Sequence, residues 1–370
     1  MPGPKEALAG ALGAARQVEA LGRNAAEYVW FGGLRVDPET SPYEVRFATP
    51  TFRLRHYFPQ AAPEGLPALL LVPPLMMMTE VYDTAPRSSS VRAVHEAGVD
   101  VWVVDFGRPE AEPGGLERDV ADHVIAVSDA VAAVVTETGR DVVLGGYSQG
   151  GMFCYEAAAY RRGDGIDSVI AFGSPVDFGA APLPIPLSFD SYASIARGLL
   201  QTGLADRLSL PGWFNRSATR LLEPLKALQF ELAYVRQLHD RERLLPGEQQ
   251  RRFLAHDGWT HYAGPSFRDL LENVLVTNRL RDGGLLIEDR TVSLADLTLP
   301  MLLVIGDIDR EGHPGRSARW WPPPPAPTST SWSCTPDTSA SSRAAARGGG
   351  PGRASRSGSG GGPARPRCRR

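Results

Sequence analysis

One eleven-residue segment constrains this chain more than any other: Asp141-Val142-Val143-Leu144-Gly145-Gly146-Tyr147-Ser148-Gln149-Gly150-Gly151. An apolar run leads into Gly146-x-Ser148-x-Gly150, and a helical period with alanines follows as far as Arg161. To pass from strand to helix in so few residues the chain must turn sharply at Ser148, which strains its backbone. Glycines two residues to either side remove Cβ atoms that would clash with the neighbouring strand and helix. The serine hydroxyl then projects above the strand ends. The Gln149 backbone N–H lies at the helix N-terminus, where the dipole favours a developing oxyanion. Ser148 also reads as the N-cap of an ordinary helix, but that leaves the crowding of Gly145, Gly146, Gly150 and Gly151 unexplained.

The surrounding pattern places this turn in mid-sheet. Residues 5–28 carry a helical stripe, whose apolar face packs on the domain or on a partner. Residues 43–48 and 52–58 alternate like a hairpin. Buried-strand runs follow at 68–72, 99–106, 141–145, 168–172 and 300–305, with helical stretches at 91–97, 116–138 and 150–161 between them. Such alternation predicts a mainly parallel sheet with helices on both faces. It lapses over 178–280, where Trp213, Phe214, Trp259, Tyr262 and many arginines sit in mostly helical patterning. That stretch reads as a cap inserted over the strand ends.

Together these features predict an α/β-hydrolase fold with Ser148 as nucleophile, Gly146 and Gly150 as its elbow glycines and the Gln149 amide as an oxyanion donor. The second donor belongs to the loop Pro73-Pro74-Leu75-Met76. Proline has no N–H, which leaves Leu75 or Met76, with Leu75 preferred. The acid follows a later strand, Met301-Leu302-Leu303-Val304-Ile305-Gly306-Asp307-Ile308-Asp309. Asp309 is preferred to Asp307 because it lies further past the strand end. A catalytic histidine should come after the acid in chain order. Only His313 does, too close to Asp309 to sit on a separate loop, while His256 and His261 fall in the cap. The chain therefore has no satisfactory base.

The tail bears on that gap. Residues 315–370 contain ten arginines, one acid and no Leu, Ile, Val, Met, Phe or Tyr. They carry +9, leaving −12 on residues 1–314 within a net charge of −3. Such a composition builds no core and predicts disorder. Its arginines have neither interleaved aromatics nor a helical stripe, so nucleic acid is not an expected partner. Read with every codon begun one base earlier, Trp320-Trp321-Pro322 encodes Val-Ala, and Cys334-Thr335 and Asp337-Thr338 each give His or Tyr. Residues 328–342 are then compatible with Asp-Val-Tyr-Glu-Leu-Val-Leu-His-Thr-Gly-His-Phe-Gly-Leu-Val, a strand followed by a histidine loop. The abrupt compositional break points to a frameshift within 314–316. The expected organisation is a helical segment (1–40), core (41–177), cap (178–280), the acid-bearing strand (281–314) and a disordered basic tail (315–370).

Residues 44–314 resemble the poly(3-hydroxyalkanoate) synthase-like branch of the α/β-hydrolases. Leu70-Leu71-Val72-Pro73-Pro74-Leu75-Met76 is similar to that family's first oxyanion strand. Val101-Trp102-Val103-Val104-Asp105-Phe106-Gly107-Arg108-Pro109 is similar to its D-W-G-x-P segment, with Phe106 in place of tryptophan. Asn278-Arg279-Leu280, Gly283-Gly284, Val292-Ser293-Leu294 and Leu299-Pro300 are similar to its acid-bearing end. The resemblance implies a hydroxyacyl group linked to coenzyme A as substrate, with no cofactor. The polymerising members carry cysteine where this chain has Ser148. A thiolate suits thioester exchange, whereas a serine better suits ester formation or hydrolysis. The expected activity is serine-dependent acyl transfer. The alternatives are an intracellular esterase or polyester depolymerase, and a chain impaired by lack of its base. Cys154, Cys334 and Cys368 fit neither a disulfide framework nor a metal site. No apolar run is long enough to span a bilayer, and the N-terminus lacks secretory order, so a cytoplasmic location is expected. The expected partners are a small acyl thioester or ester and, as one option, a second copy of the chain.

Overall fold

The structure is a computed structural model, and it describes residues 4–63, 65, 67–178, 188–222, 224–306, 330–334 and 368–369. Its centre is a sheet in the order β1-β2-β4-β3-β5-β6-β9-β10-β11. The strands are β1 (Tyr43–Ala48), β2 (Arg53–Tyr57), β3 (Leu69–Val72), β4 (Val101–Asp105), β5 (Val142–Tyr147), β6 (Ile166–Phe172), β9 (Met301–Gly306), β10 (Thr330–Cys334) and β11 (Cys368–Arg369). From β4 to β10 the neighbours run parallel, while β1, β2 and β11 are antiparallel additions at the two edges. A separate two-stranded ribbon joins β7 (Leu285–Ile287) to β8 (Arg290–Val292).

The pleat sorts the apolar runs between two faces. Leu70, Val72, Trp102, Val104 and Leu144 turn toward α3 (Val120–Thr138) and α4 (Gln149–Arg161) in the larger core. Leu69, Leu71, Val101 and Val103 turn the other way, onto Tyr57, Tyr82 and Val91 of α2 (Ser90–Glu96). Burial on both faces explains why these strands read as continuous rather than alternating runs. A capping box between Asp119 and Asp122 starts α3, and left-handed Gly139 ends it.

The C-terminal part of helix α1 (Pro4–Phe31) is tied by hydrogen bonds to the helical segment between β6 and β7, while its apolar Val18, Val29 and Trp30 are exposed. The Asn24 side-chain amide donates to the Leu238 carbonyl, and the Leu34 amide donates to buried Glu248. The helices of that segment are α5 (Phe189–Gln201), α6 (Leu204–Arg207), α7 (Gly212–Leu222), α8 (Pro224–Arg236), α9 (Arg241–Arg252), α10 (Gly264–Asp269) and α11 (Arg279–Asp282). Among the described residues, no helix is long and apolar enough to cross a membrane.

Candidate active site

Ser148 joins β5 to α4 with φ 54° and ψ −122°, outside the regions that L-residues favour. It occupies the N-cap position, yet its side chain makes no capping hydrogen bond. Among the described residues the hydroxyl has no hydrogen-bond partner and is not spent on the helix. The Ser148 amide donates to the Phe172 carbonyl of β6 at 2.8 Å, which ties the turn to the adjacent strand.

The glycines are required by contact rather than by φ. A Cβ on Gly146 would lie 2.4 Å from the carbonyl carbon of Gly150, and one on Gly150 would lie 2.0 Å from the Val72 carbonyl oxygen. Helix α4 thus starts directly against the end of β3. All of its residues from Gln149 to Ala159 are buried. Cys154 is among them, with burial pushing its thiol well up, so it serves packing.

The loop after β3 is a turn closed by the Met77 amide donating to the Pro74 carbonyl, with Leu75 and Met76 at its centre. The Leu75 amide is directed to the Gln149 side-chain oxygen at 3.4 Å. Among the described residues the Met76 amide has no hydrogen-bond partner, and neither has that of Gln149. The segment between β6 and β7 reaches this loop directly. Met77 and Trp259 form an antiparallel bridge, flanked by Met78 N–H to Gly258 O at 2.8 Å and Thr260 N–H to Met76 O at 3.1 Å. Behind the loop a nearly closed cavity of about 10 Å³ lies between Pro73, Leu75, Phe106, His123 and His261, space for a single water.

Three features to which the sequence reading gave no role at the site hold this region. The Tyr82 hydroxyl donates to the Val72 carbonyl at 2.7 Å and accepts the Tyr147 amide at 3.0 Å, so one phenol bridges the ends of β3 and β5. Asp105 accepts from Thr79, the Gly107 amide and Arg55. Burial works against its charge, and Arg55 at 2.7 Å more than offsets this, holding the carboxyl below the usual range. The Asp-x-Gly of the D-W-G-x-P-like segment is therefore an anchor for the loop. Third, the buried Tyr262 hydroxyl accepts a hydrogen bond from the Gln149 side-chain amide.

Asp309, Asp307 and His313 lie outside the described residues, as does the tail apart from β10 and β11. Other histidines are engaged elsewhere. His56 pairs with Asp100 and His256 with Arg216, while the His261 backbone amide donates to Glu110 and its Nδ1 lies 3.2 Å from that carboxylate without a hydrogen bond. His123 hydrogen-bonds the Asp119 carbonyl, and burial brings its pKa down to about 4. Among the described residues none is hydrogen-bonded to Ser148, and no group of three metal-ligating side chains occurs.

The sheet order, the strand-to-helix turn and the site at the strand ends define a class of enzyme folds, and comparison with known proteins agrees. The model of the alpha/beta hydrolase family matches residues 69–326, and the chain belongs to that family. It is similar to the poly(3-hydroxyalkanoate) polymerase subunit PhaC of Haloferax mediterranei, at 25% identity over 283 residues, covering 73% of this chain and 54% of the relative. It is equally similar to PhaC of Allochromatium vinosum, at 25% identity over 299 residues, covering 76% of this chain and 78% of the relative. The chain thus spans about half the length of the first and about three quarters of the second. Among solved structures, a monoacylglycerol lipase of Paleococcus ferrophilus aligns at 20% identity and a TM-score of 0.42, covering 73% of this chain and 85% of that one. The poly(3-hydroxyalkanoate) synthase resemblance expected from the motifs is matched by these relatives.

Proposed function

We propose that this chain carries a serine-nucleophile acyl-transfer site for acyl thioesters or esters, with hydroxyacyl-coenzyme A as the substrate type its relatives suggest. The observation that carries the reading is Ser148 itself: positive φ, no capping bond, and a place at the head of α4 beside the Gln149 backbone N–H, which has no partner among the described residues. In the reaction Ser148 Oγ bonds to the acyl carbon as the substrate's C–S or C–O bond breaks. The hydroxyl proton passes through a base to the departing thiol or alcohol, and an acceptor hydroxyl or water then takes the acyl group. Asp309 is the acid that orients the base, a histidine that the chain as it stands has lost and that the shifted reading frame of the tail would restore. Residues 178–280 act as the cap, and their strand-like join to the loop at Met77 supports that role.

The test is labelling of the full chain by a fluorophosphonate, with Ser148→Ala as control. Labelling that vanishes in Ser148→Ala supports the proposal, and a wild-type chain that stays unlabelled rejects it for the chain as it stands. Comparing product formation from an acyl-coenzyme A with that from a simple ester separates transferase from esterase. Resequencing the codons of 305–347 tests the frame, and one uninterrupted frame in independent isolates would remove the frameshift.

A further inference from the structure

The Gln149 side chain is buried and spends both ends of its amide internally. Its oxygen accepts from the Leu75 amide and its nitrogen donates to the Tyr262 hydroxyl. The turn over Pro74 to Met77 leaves the N–H groups of its two central residues outside the turn's own hydrogen bond. The Leu75 N–H is taken by Gln149, and Leu75 is buried. Met76 is only half-buried, with its carbonyl held by the Thr260 amide and its N–H unpartnered among the described residues. Tyr262 is itself fixed from the insertion, by paired backbone hydrogen bonds with Leu210 at 2.9 Å each and an edge-on contact with Phe267.

We infer that the second oxyanion donor is the Met76 amide, and that Tyr262 is a positioning residue which sets this donor through the Gln149 side chain. The inference rests on the serine reading of the site and deepens it. Gln149 then has two functions. Its backbone N–H meets the oxyanion, while its side chain pins the turn that presents the other N–H. Leu75 is the structural foot of that turn rather than a donor to substrate. The phenol sits on the insertion, so the insertion's seating on the sheet governs the spacing of the two donors. Preorganised donors act only when aimed at the place where charge develops, so a loosened turn lowers the rate of attack and not the affinity for the acyl group.

The variants are Tyr262→Phe, Gln149→Met and their combination, in the full chain. Two readouts are needed: the fluorophosphonate labelling rate, and residue-resolved hydrogen exchange at Leu75 and Met76. The expected result is that each single variant labels about tenfold or more slowly at saturating reagent, with little change in half-saturation. The double variant should be no slower than the slower single, because both remove one linkage. Leu75 exchange should be slow in the wild type and fast in Tyr262→Phe, and Met76 exchange fast in all forms. Labelling of Tyr262→Phe at the wild-type rate would overturn the inference, as would slowdowns that multiply in the double variant, the mark of two independent packing defects. If the wild type is not labelled, the serine reading fails and exchange alone decides. Leu75 exchange unchanged by Tyr262→Phe, or Met76 slow in the wild type, then refutes the positioning role.

Discussion

Helices α4 and α8 have the same length, thirteen residues, and opposite surroundings. Helix α4 is buried from Gln149 to Ala159, whereas α8 shows Leu225, Leu228, Phe230, Leu232 and Val235 to solvent, Leu225 at 75% exposure. Both are apolar in sequence, so apolar content alone does not say which helix forms core. What separates them is small residues. Gly150, Gly151, Ala157, Ala158 and Ala159 let α4 lie directly on β3, β5 and β6, and α8 has no such face. Close backbone approach marks the helix laid on the sheet, and bulky exposed apolar residues mark the one that faces outward.

The sharpest way to break this contrast is to add one methyl group to α4 and one to an open helix of the segment that also contains α8. Gly150→Ala drives a Cβ into the Val72 carbonyl and should cost about 3–5 kcal/mol or prevent folding. Gly198→Ala, in α5 with nothing within 4 Å, should stabilise by about 0.5–1 kcal/mol. Denaturant midpoints measure both, and equal effects would abolish the distinction.

A second test uses charge. Burial in α4, with Asp269 nearby, pushes Glu156 up to about 8, and its Oε2 has no partner. The folded chain therefore holds a proton that the unfolded chain releases above about 4.5. Stability from this group is complete at low pH and is lost as pH rises toward 8. Glu156→Gln should thus raise the melting temperature at pH 8.5 by about 5 °C and change it little at pH 5. His123 acts in the opposite sense: with its pKa lowered to about 4, its contribution is present above about 6.5 and is lost as pH falls toward 4. A melting curve of Glu156→Gln parallel to wild type across this range would show that Glu156 is ionised in the fold. The smallest effect is expected on α8, where Phe230→Ser should shift stability by no more than about 0.5 kcal/mol. A larger loss would mean that this face is covered in solution.

Much of this was legible in advance, for physical reasons that differ by element. The strands from β3 to β6 and β9 showed as apolar runs because a parallel sheet buried on both faces needs no alternation. The strand-to-helix turn showed because Gly146 and Gly150 are demanded by contact. The β7–β8 ribbon was missed, since its turn at Glu288-Asp289, with Glu288 at φ 52°, lacks the Asn-Gly or Asp-Gly signal of a tight hairpin. Tyr82 and Tyr262 carry no spacing signal, because each acts through one hydroxyl placed by distant chain. Which of the Leu75 and Met76 N–H groups is taken within the fold depends on the reach of a buried glutamine side chain, a fact of three dimensions.

The join at Met77 and Trp259 also bears on how this fold can be recombined. The segment 258–262 is spliced by backbone hydrogen bonds into the loop after β3, so it belongs with the sheet even though it arrives with the insertion. A chimaera that exchanges the whole of 188–276 for a foreign segment removes part of the loop's own scaffold. One that exchanges 188–209 or 216–252 and leaves 258–262 in place keeps that scaffold, and with it a freedom to vary the roof without disturbing the floor.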